Sequence, residues 1–168
     1  MRNLLILAAL FASPAAAQEV TLGAFHRPTE MPWNNDLSTL ETGTDIQASY
    51  RHKSEGWEPQ ATAHIALHNG ASMFAVGIGR KVNLDRFYLR PAIGIAVHTG
   101  PDIRWQDGRR TDYGSRVLFT PEMSIGYRFD GFSVEASWFH ASHAELFSPQ
   151  NPGHDSFGLR VVKKLGGD

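Results

Sequence analysis

The chain has 168 residues, with 16 basic and 17 acidic side chains, a formal net charge of −1 and no cysteine. That near-neutral balance argues against a nucleic-acid partner, and without thiols stability has to come from packing and a closed hydrogen-bond network, not from disulfides. After the N-terminus no stretch is apolar enough for a transmembrane helix, which argues against a helical membrane protein; a membrane β-barrel stays open, because its signal is an alternation and not a run.

The first segment reads MRNLLILAALFASPAAAQEV. Arg2 precedes an apolar run from Leu4 to Ala12, and Ala15-Ala16-Ala17 offers an A-x-A cleavage site, the layout of a secretory signal peptide. The run falls short of the roughly 20 residues that span a bilayer as a helix. Residues 1–17 are therefore read as a signal peptide and residues 18–168 as a single transmembrane β-barrel domain. Without Arg2 the balance becomes 15 basic against 17 acidic, a net charge of −2.

Strands are expected near 20–26, 44–53, 58–68, 72–82, 87–98, 118–129, 132–142 and 155–165, an even set of eight with no convincing amphipathic helix. In FYLRPAIGIAVH (87–98) the odd positions are all apolar, and the even ones, Tyr88, Arg90, Ala92, Gly94, Ala96 and His98, are polar, small or amphipathic. Period two places these sets on opposite faces of a strand. LFTPEMSIGYRF (118–129) repeats the pattern, with Leu118 as an exception. The connections 53–57, 83–86 and 130–131 are short, whereas 27–43, 99–113 and 143–154 are long and rich in Pro, Gly, Asn and Asp; the tight link around His68-Asn69-Gly70 is the exception. Short turns at one end and long loops at the other match an outer-membrane barrel.

A soluble lipocalin-like barrel turns its apolar face inward, and a membrane barrel turns it toward lipid. Arg90, Glu122, Arg128 and Glu135 lie on the polar faces of successive strands, where mutual ion pairing offsets burial in a narrow lumen. A cation on the lipid face near the midplane would cost about 2–4 kcal/mol. The expected fold is thus all-β, an eight-stranded antiparallel outer-membrane β-barrel whose interior is filled by side chains. Against it stand the KKLGGD terminus, which lacks a closing aromatic residue, and Lys163, in phase with outward-facing Phe157, Leu159 and Val161.

On strand 132–142 the outward phase Phe132, Val134, Ala136, Trp138 continues to His140 and Ser142. Asp155 shares the outward phase of the next strand, so antiparallel pairing brings it beside them at the long-loop rim. Ser142 as nucleophile, His140 as base and Asp155 as orienting acid form a hydrolytic constellation. Other readings compete. H-x-S alone is common at a rim. His140, His143, Glu145 and His154 offer a metal-binding alternative, although H-x-x-H suits a helix better than a strand. Glu145 is a rival acid, His26, His52, His64, His68 and His98 read most simply as lumen or rim residues, and Arg104, Arg109 and Arg110 read equally well as solvated charges or as partners of anionic phosphate.

The stretch GYRFDGFSVEASWFHASHAELFSPQNPGHDSFGLRV, with GSRVLF at 114–119, resembles the C-terminal part of the lipid A 3-O-deacylases of Gram-negative outer membranes. Members carry a strand ending in H-x-S-N-A-G, a loop with N-x-G and an acidic residue opening the last strand. The resemblance covers residues 114–162 and implies that His140 and Ser142 are base and nucleophile, that Asp155 takes the acidic place, often a Glu, and that Asn151 and Gly153 hold the loop positions, with Asn151 as an oxyanion donor. It also implies a serine esterase acting on lipid A or lipopolysaccharide in the outer leaflet, with no cofactor and no metal, and it is compatible with a homodimer. His143 and Glu145 depart from the family's Asn and Gly. The rival expectation is a non-catalytic small barrel, structural or adhesive, or an inactive relative of the deacylases.

Overall fold

The structure, a computed structural model, describes residues 18–28, 41–52, 56–101, 103–106, 109–144, 146 and 153–165, with the backbone alone for 103–106 and 109–112. The signal-peptide reading of residues 1–17 lies outside the described residues.

The described residues form strands and turns: β1 (Gln18–Arg27), β2 (Gly43–His52), β3 (Glu58–Ala66), β4 (Met73–Gly79), β5 (Val82–Leu84), β6 (Phe87–His98), β7 (Ile103–Gln106), β8 (Arg109–Asp112), β9 (Val117–Phe119), β10 (Glu122–Phe129), β11 (Phe132–Ala141) and β12 (His154–Leu165). Neighbours pair antiparallel, and the sheet closes where β12 meets β1, from Gln18 opposite Leu165 to His26 opposite Phe157. This is the expected eight-stranded barrel, because the short strands β5 and β9 continue longer ones. Ile78 opposite Ile93 on β4 and Val82 opposite Leu89 on β5 keep one register against β6. Arg80 N–H donates to the Pro91 carbonyl at 3.0 Å, but proline returns no donor and the ladder lapses there. Pro121 interrupts β9 and β10 in the same way. Two expected strands, 72–82 and 118–129, are thus each broken once, and 58–68 ends at Ala66. The expected long loop 99–113 contains the β7–β8 hairpin, paired from Ile103 opposite Asp112 to Gln106 opposite Arg109.

Alternation sorts the side chains. Along β6, Phe87, Leu89, Ile93, Ile95 and Val97 are exposed on the outer wall, while Tyr88, Arg90, Ala92, Ala96 and His98 are buried. An exposed apolar belt of this extent is stable only against hydrocarbon. At the short-turn end Phe87, Tyr127, Phe129 and Phe132 form a chain of ring contacts, each 4.9 Å between centroids. Their position fits the aromatic girdle at a membrane interface. Lys163 points outward at the same end and donates to the Gly131 carbonyl at 3.0 Å, within reach of water.

The lumen is filled by a polar network. Glu135 accepts both Arg51 terminal nitrogens at 2.9 and 2.8 Å, Arg160 Nε at 2.6 Å and the Tyr88 hydroxyl at 2.8 Å. Arg160 also reaches Glu122 and Gln47, and Arg90 bonds Glu58 at 2.7 Å and lies 3.6 Å from Glu122. Removed from water, these charges depend on one another. Arg128 departs from expectation. It sits over the Tyr88 ring, bonds the Asp85 carbonyl at 2.7 Å and contacts Asn83 at the short turn, apart from the carboxylates. Toward the long-loop end Arg27 pairs with Glu41 and Asp45, both at 2.7 Å.

Candidate active site

Three cross-strand ladders fix the rim. His140 stands directly opposite Asp155, and Trp138 opposite Phe157. On the other side Trp138 stands opposite Met123, His140 N–H donates to the Pro121 carbonyl at 3.0 Å, and Ser142 bridges to Phe119. Paired residues of antiparallel strands share a face. Met123, Phe119 and Phe157 are exposed on the outer wall, so Trp138, His140, Ser142 and Asp155 belong to that wall.

His140 Nδ1 lies 3.2 Å from Asp155 Oδ1, with the imidazole one-quarter exposed. With the proton on Nδ1, facing the carboxylate, Nε2 would keep its lone pair for a second partner. The Trp138 indole Nε1–H donates to the same Asp155 oxygen at 2.6 Å. Ser142 is held at both ends of its peptide unit, its N–H donating to the Phe119 carbonyl at 3.0 Å and its carbonyl accepting from Phe119 N–H at 2.6 Å. Its own N–H is therefore not free to bind an oxyanion.

Gly153 closes the arrangement. Its φ of +57° lies in the left-handed region that favours glycine. A Cβ there would stand 2.9 Å from His140 Cε1, 2.9 Å from the Ala141 carbonyl oxygen and 3.1 Å from Ser142 Cβ. His140 and Ser142 thus both flank Gly153, the residue that leads into β12, and Ser142 is 8% exposed although it pairs with the outer wall.

The structure places His140, Ser142, Asp155 and Gly153 at one rim of the outer wall. Asn151 and Glu145 lie outside the described residues. Of the metal-binding alternative, His154 pairs with fully buried Ala141 on the inner side, and among the described residues no group of three or more His, Asp or Glu side chains is placed to hold a metal ion. Of the histidines read as lumen or rim, His64 and His98 are buried and His26 is exposed. The residue that sequence reading missed is Trp138. Its phase predicts the outer wall, but the reach of its indole to Asp155 depends on the β11–β12 register.

A family model for lipid A 3-O-deacylase (PagL) matches residues 21–164. The chain belongs to the lipid A 3-O-deacylase (PagL) family. Among solved structures, the outer-membrane enzyme PagL superposes with a TM-score of 0.58 at 19% identity, covering 88% of this chain and 99% of that one. The N-terminal β-barrel domain of Pseudomonas aeruginosa OprF gives a TM-score of 0.63 at 10% identity, over 90% of this chain and 98% of that one. Neisserial surface protein A gives 0.52 at 9% identity, over 88% and 97%. At these identities the likeness speaks to the barrel alone. No curated protein sequence matches. As a member of the lipid A 3-O-deacylase family, the protein is a deacylase-type barrel of the Gram-negative outer membrane.

Proposed function

We propose that the protein hydrolyses an acyl ester of lipid A, the 3-O-linked one, by a Ser142–His140–Asp155 triad. The observation that carries this reading is the His140–Asp155 pair beside Ser142 on the hydrocarbon-facing wall at the long-loop end, at 3.2 Å between Nδ1 and Oδ1. A lipid ester in the outer leaflet lies against that wall; a triad facing the lumen would not meet it.

Ser142 Oγ attacks the ester carbonyl carbon while its proton passes to His140 Nε2. The tetrahedral oxyanion collapses, the sugar hydroxyl leaves with the proton from His140, and an acyl-serine remains. His140 then takes a proton from water, whose oxygen attacks the acyl carbon; Ser142 departs reprotonated and the free fatty acid is released. Asp155 holds the ring tautomer and stabilises the imidazolium formed in each half-reaction. With the Ser142 N–H bound to Phe119, the oxyanion donors are assigned to the loop before β12, at Asn151 and Gly153. An apolar recess on the same wall, lined by Leu89, Met123, Ile125, Ala136, Trp138 and Phe157, adjoins the pair and supports an acyl-chain substrate.

The test is a mass spectrum of lipid A incubated with the purified protein in detergent. Loss of one hydroxyacyl group is expected with the wild type and none with Ser142→Ala. An unchanged spectrum with the wild type would instead favour the non-catalytic barrel, to which the His143 and Glu145 departures point.

A further inference from the structure

We infer that Trp138 is a positioning residue, whose indole N–H fixes the Asp155 carboxylate against His140 while its ring walls one side of the imidazole. The inference rests on the hydrolase reading of this site. Asp155 Oδ1 is a shared acceptor: the indole approaches it to 2.6 Å and the imidazole to 3.2 Å, so the carboxylate leans toward the tryptophan. The ladder explains the geometry. His140 is directly across from Asp155, and Trp138 lies two residues back on the same face, on the diagonal that a long side chain can span. The indole and imidazole rings stack 6.0 Å apart between centroids at 30°.

The chemistry of the donor matters as much as its place. Asp155 opens a strand at a lipid-facing rim, where a carboxylate without donors would turn toward water or take up a proton. A lysine or arginine would hold it but would cancel the charge that the imidazolium needs. The indole N–H only donates and does not titrate, so it orders the carboxylate and leaves its negative charge to His140.

The test uses the full-length protein folded in detergent. Two substitutions remove the donor: Trp138→Phe, and Trp138→3-benzothienylalanine, which keeps the bicyclic shape and puts sulfur in place of N–H. One readout is the second-order rate at which a long-chain alkyl fluorophosphonate labels Ser142; the other is kcat and KM on lipid A. Both substitutions should slow labelling and lower kcat about tenfold with KM unchanged, the size carried by one hydrogen bond to a charged group. In an Asp155→Ala background the same substitutions should change either rate by less than about twofold, because residues acting through one another are not additive. Equal losses in both backgrounds, or a rise in KM alone, would make Trp138 a mere wall of the recess and overturn the inference. If wild type labels in a Trp138-dependent way but leaves lipid A intact, the positioning role stands and the substrate reading falls. If wild-type Ser142 does not label at all, both fall.

Discussion

Glu135 and Asp155 sit on the same pair of strands, each directly opposite its partner: Glu135 faces Arg160 and Asp155 faces His140. The odd spacing between 135 and 140 sends one pair into the lumen and the other to the outer wall. Inside, Glu135 is fully buried and receives Arg51, Arg160 and Tyr88. Two fixed guanidinium groups saturate its charge and leave it nothing to offer a reaction. Outside, among the described residues, Asp155 receives Trp138 and meets the His140 ring, both of which can be neutral. The same ladder thus gives Glu135 two permanent cations as partners and gives Asp155 an indole and an imidazole.

Exchanging the readouts tests that contrast most severely. Asp155→Ala should lower kcat by about 10⁴-fold, the loss seen when an orienting acid is removed from a triad, with the urea midpoint of folding into lipid vesicles little changed. Glu135→Ala should do the reverse. It leaves Arg51 and Arg160 buried without their main partner, at a cost of about 3–5 kcal/mol in the same urea titration. Surviving molecules should keep their kcat. A Glu135→Ala protein of native stability but lost activity would mean that the lumen network serves the chemistry after all.

Gly153 sharpens the outer half of the comparison. Alanine there meets two obstacles, a left-handed φ of +57° and contacts of 2.9 Å to His140 Cε1 and 3.1 Å to Ser142 Cβ. The backbone term is about 1–2 kcal/mol, since an L side chain disfavours that region. Relief of the contacts must push the imidazole off line, and small misalignments at reacting atoms cost about 100-fold in rate. Gly153→Ala should therefore lose roughly 100-fold in kcat, for a stability loss near 1 kcal/mol, as read by deacylation kinetics and by the urea midpoint. Full activity would reduce Gly153 to a turn residue.

How much of this was legible in the sequence depends on the range of the interaction. Alternation in 87–98 and 132–142, with Phe139 the misfit, and the phase of Phe157, Leu159 and Val161 exposed the barrel, its outward face and the outward placing of His140, Ser142 and Asp155, because period two is a local property of the backbone. Arg51 and Arg160 fall in the polar phase of their strands and were readable by the same rule, yet which acids they meet depends on strands 84 and 25 residues away. The breaks at Pro91 and Pro121 follow from a missing donor opposite a specific neighbour, which needs register as well as composition. Register is also what Trp138 required. The β7–β8 hairpin went unread because its strands are only four residues each, too short for alternation to stand out.

The smallest expected effect lies at Ala144, just past the last paired residue of β11. Its φ is +53°, left-handed for a residue with a Cβ, and the Leu146 N–H closes a tight turn onto the His143 carbonyl at 3.1 Å. Strain beside Ser142 invites the idea that it aims that side chain. The ladder argues otherwise. Ser142 is already clamped to Phe119 by hydrogen bonds of 3.0 and 2.6 Å, so the turn follows the serine's position and does not set it. Ala144→Gly should then relieve about 1 kcal/mol of strain, partly offset by the larger entropy of glycine in the unfolded chain, for a net gain of at most about 1 kcal/mol in the urea midpoint. kcat should fall by no more than about threefold, well short of the roughly 100-fold that misplacing a reacting group costs. A loss as large as that of Gly153→Ala would show that the strained turn, and not the Phe119 clamp, holds Ser142 in line.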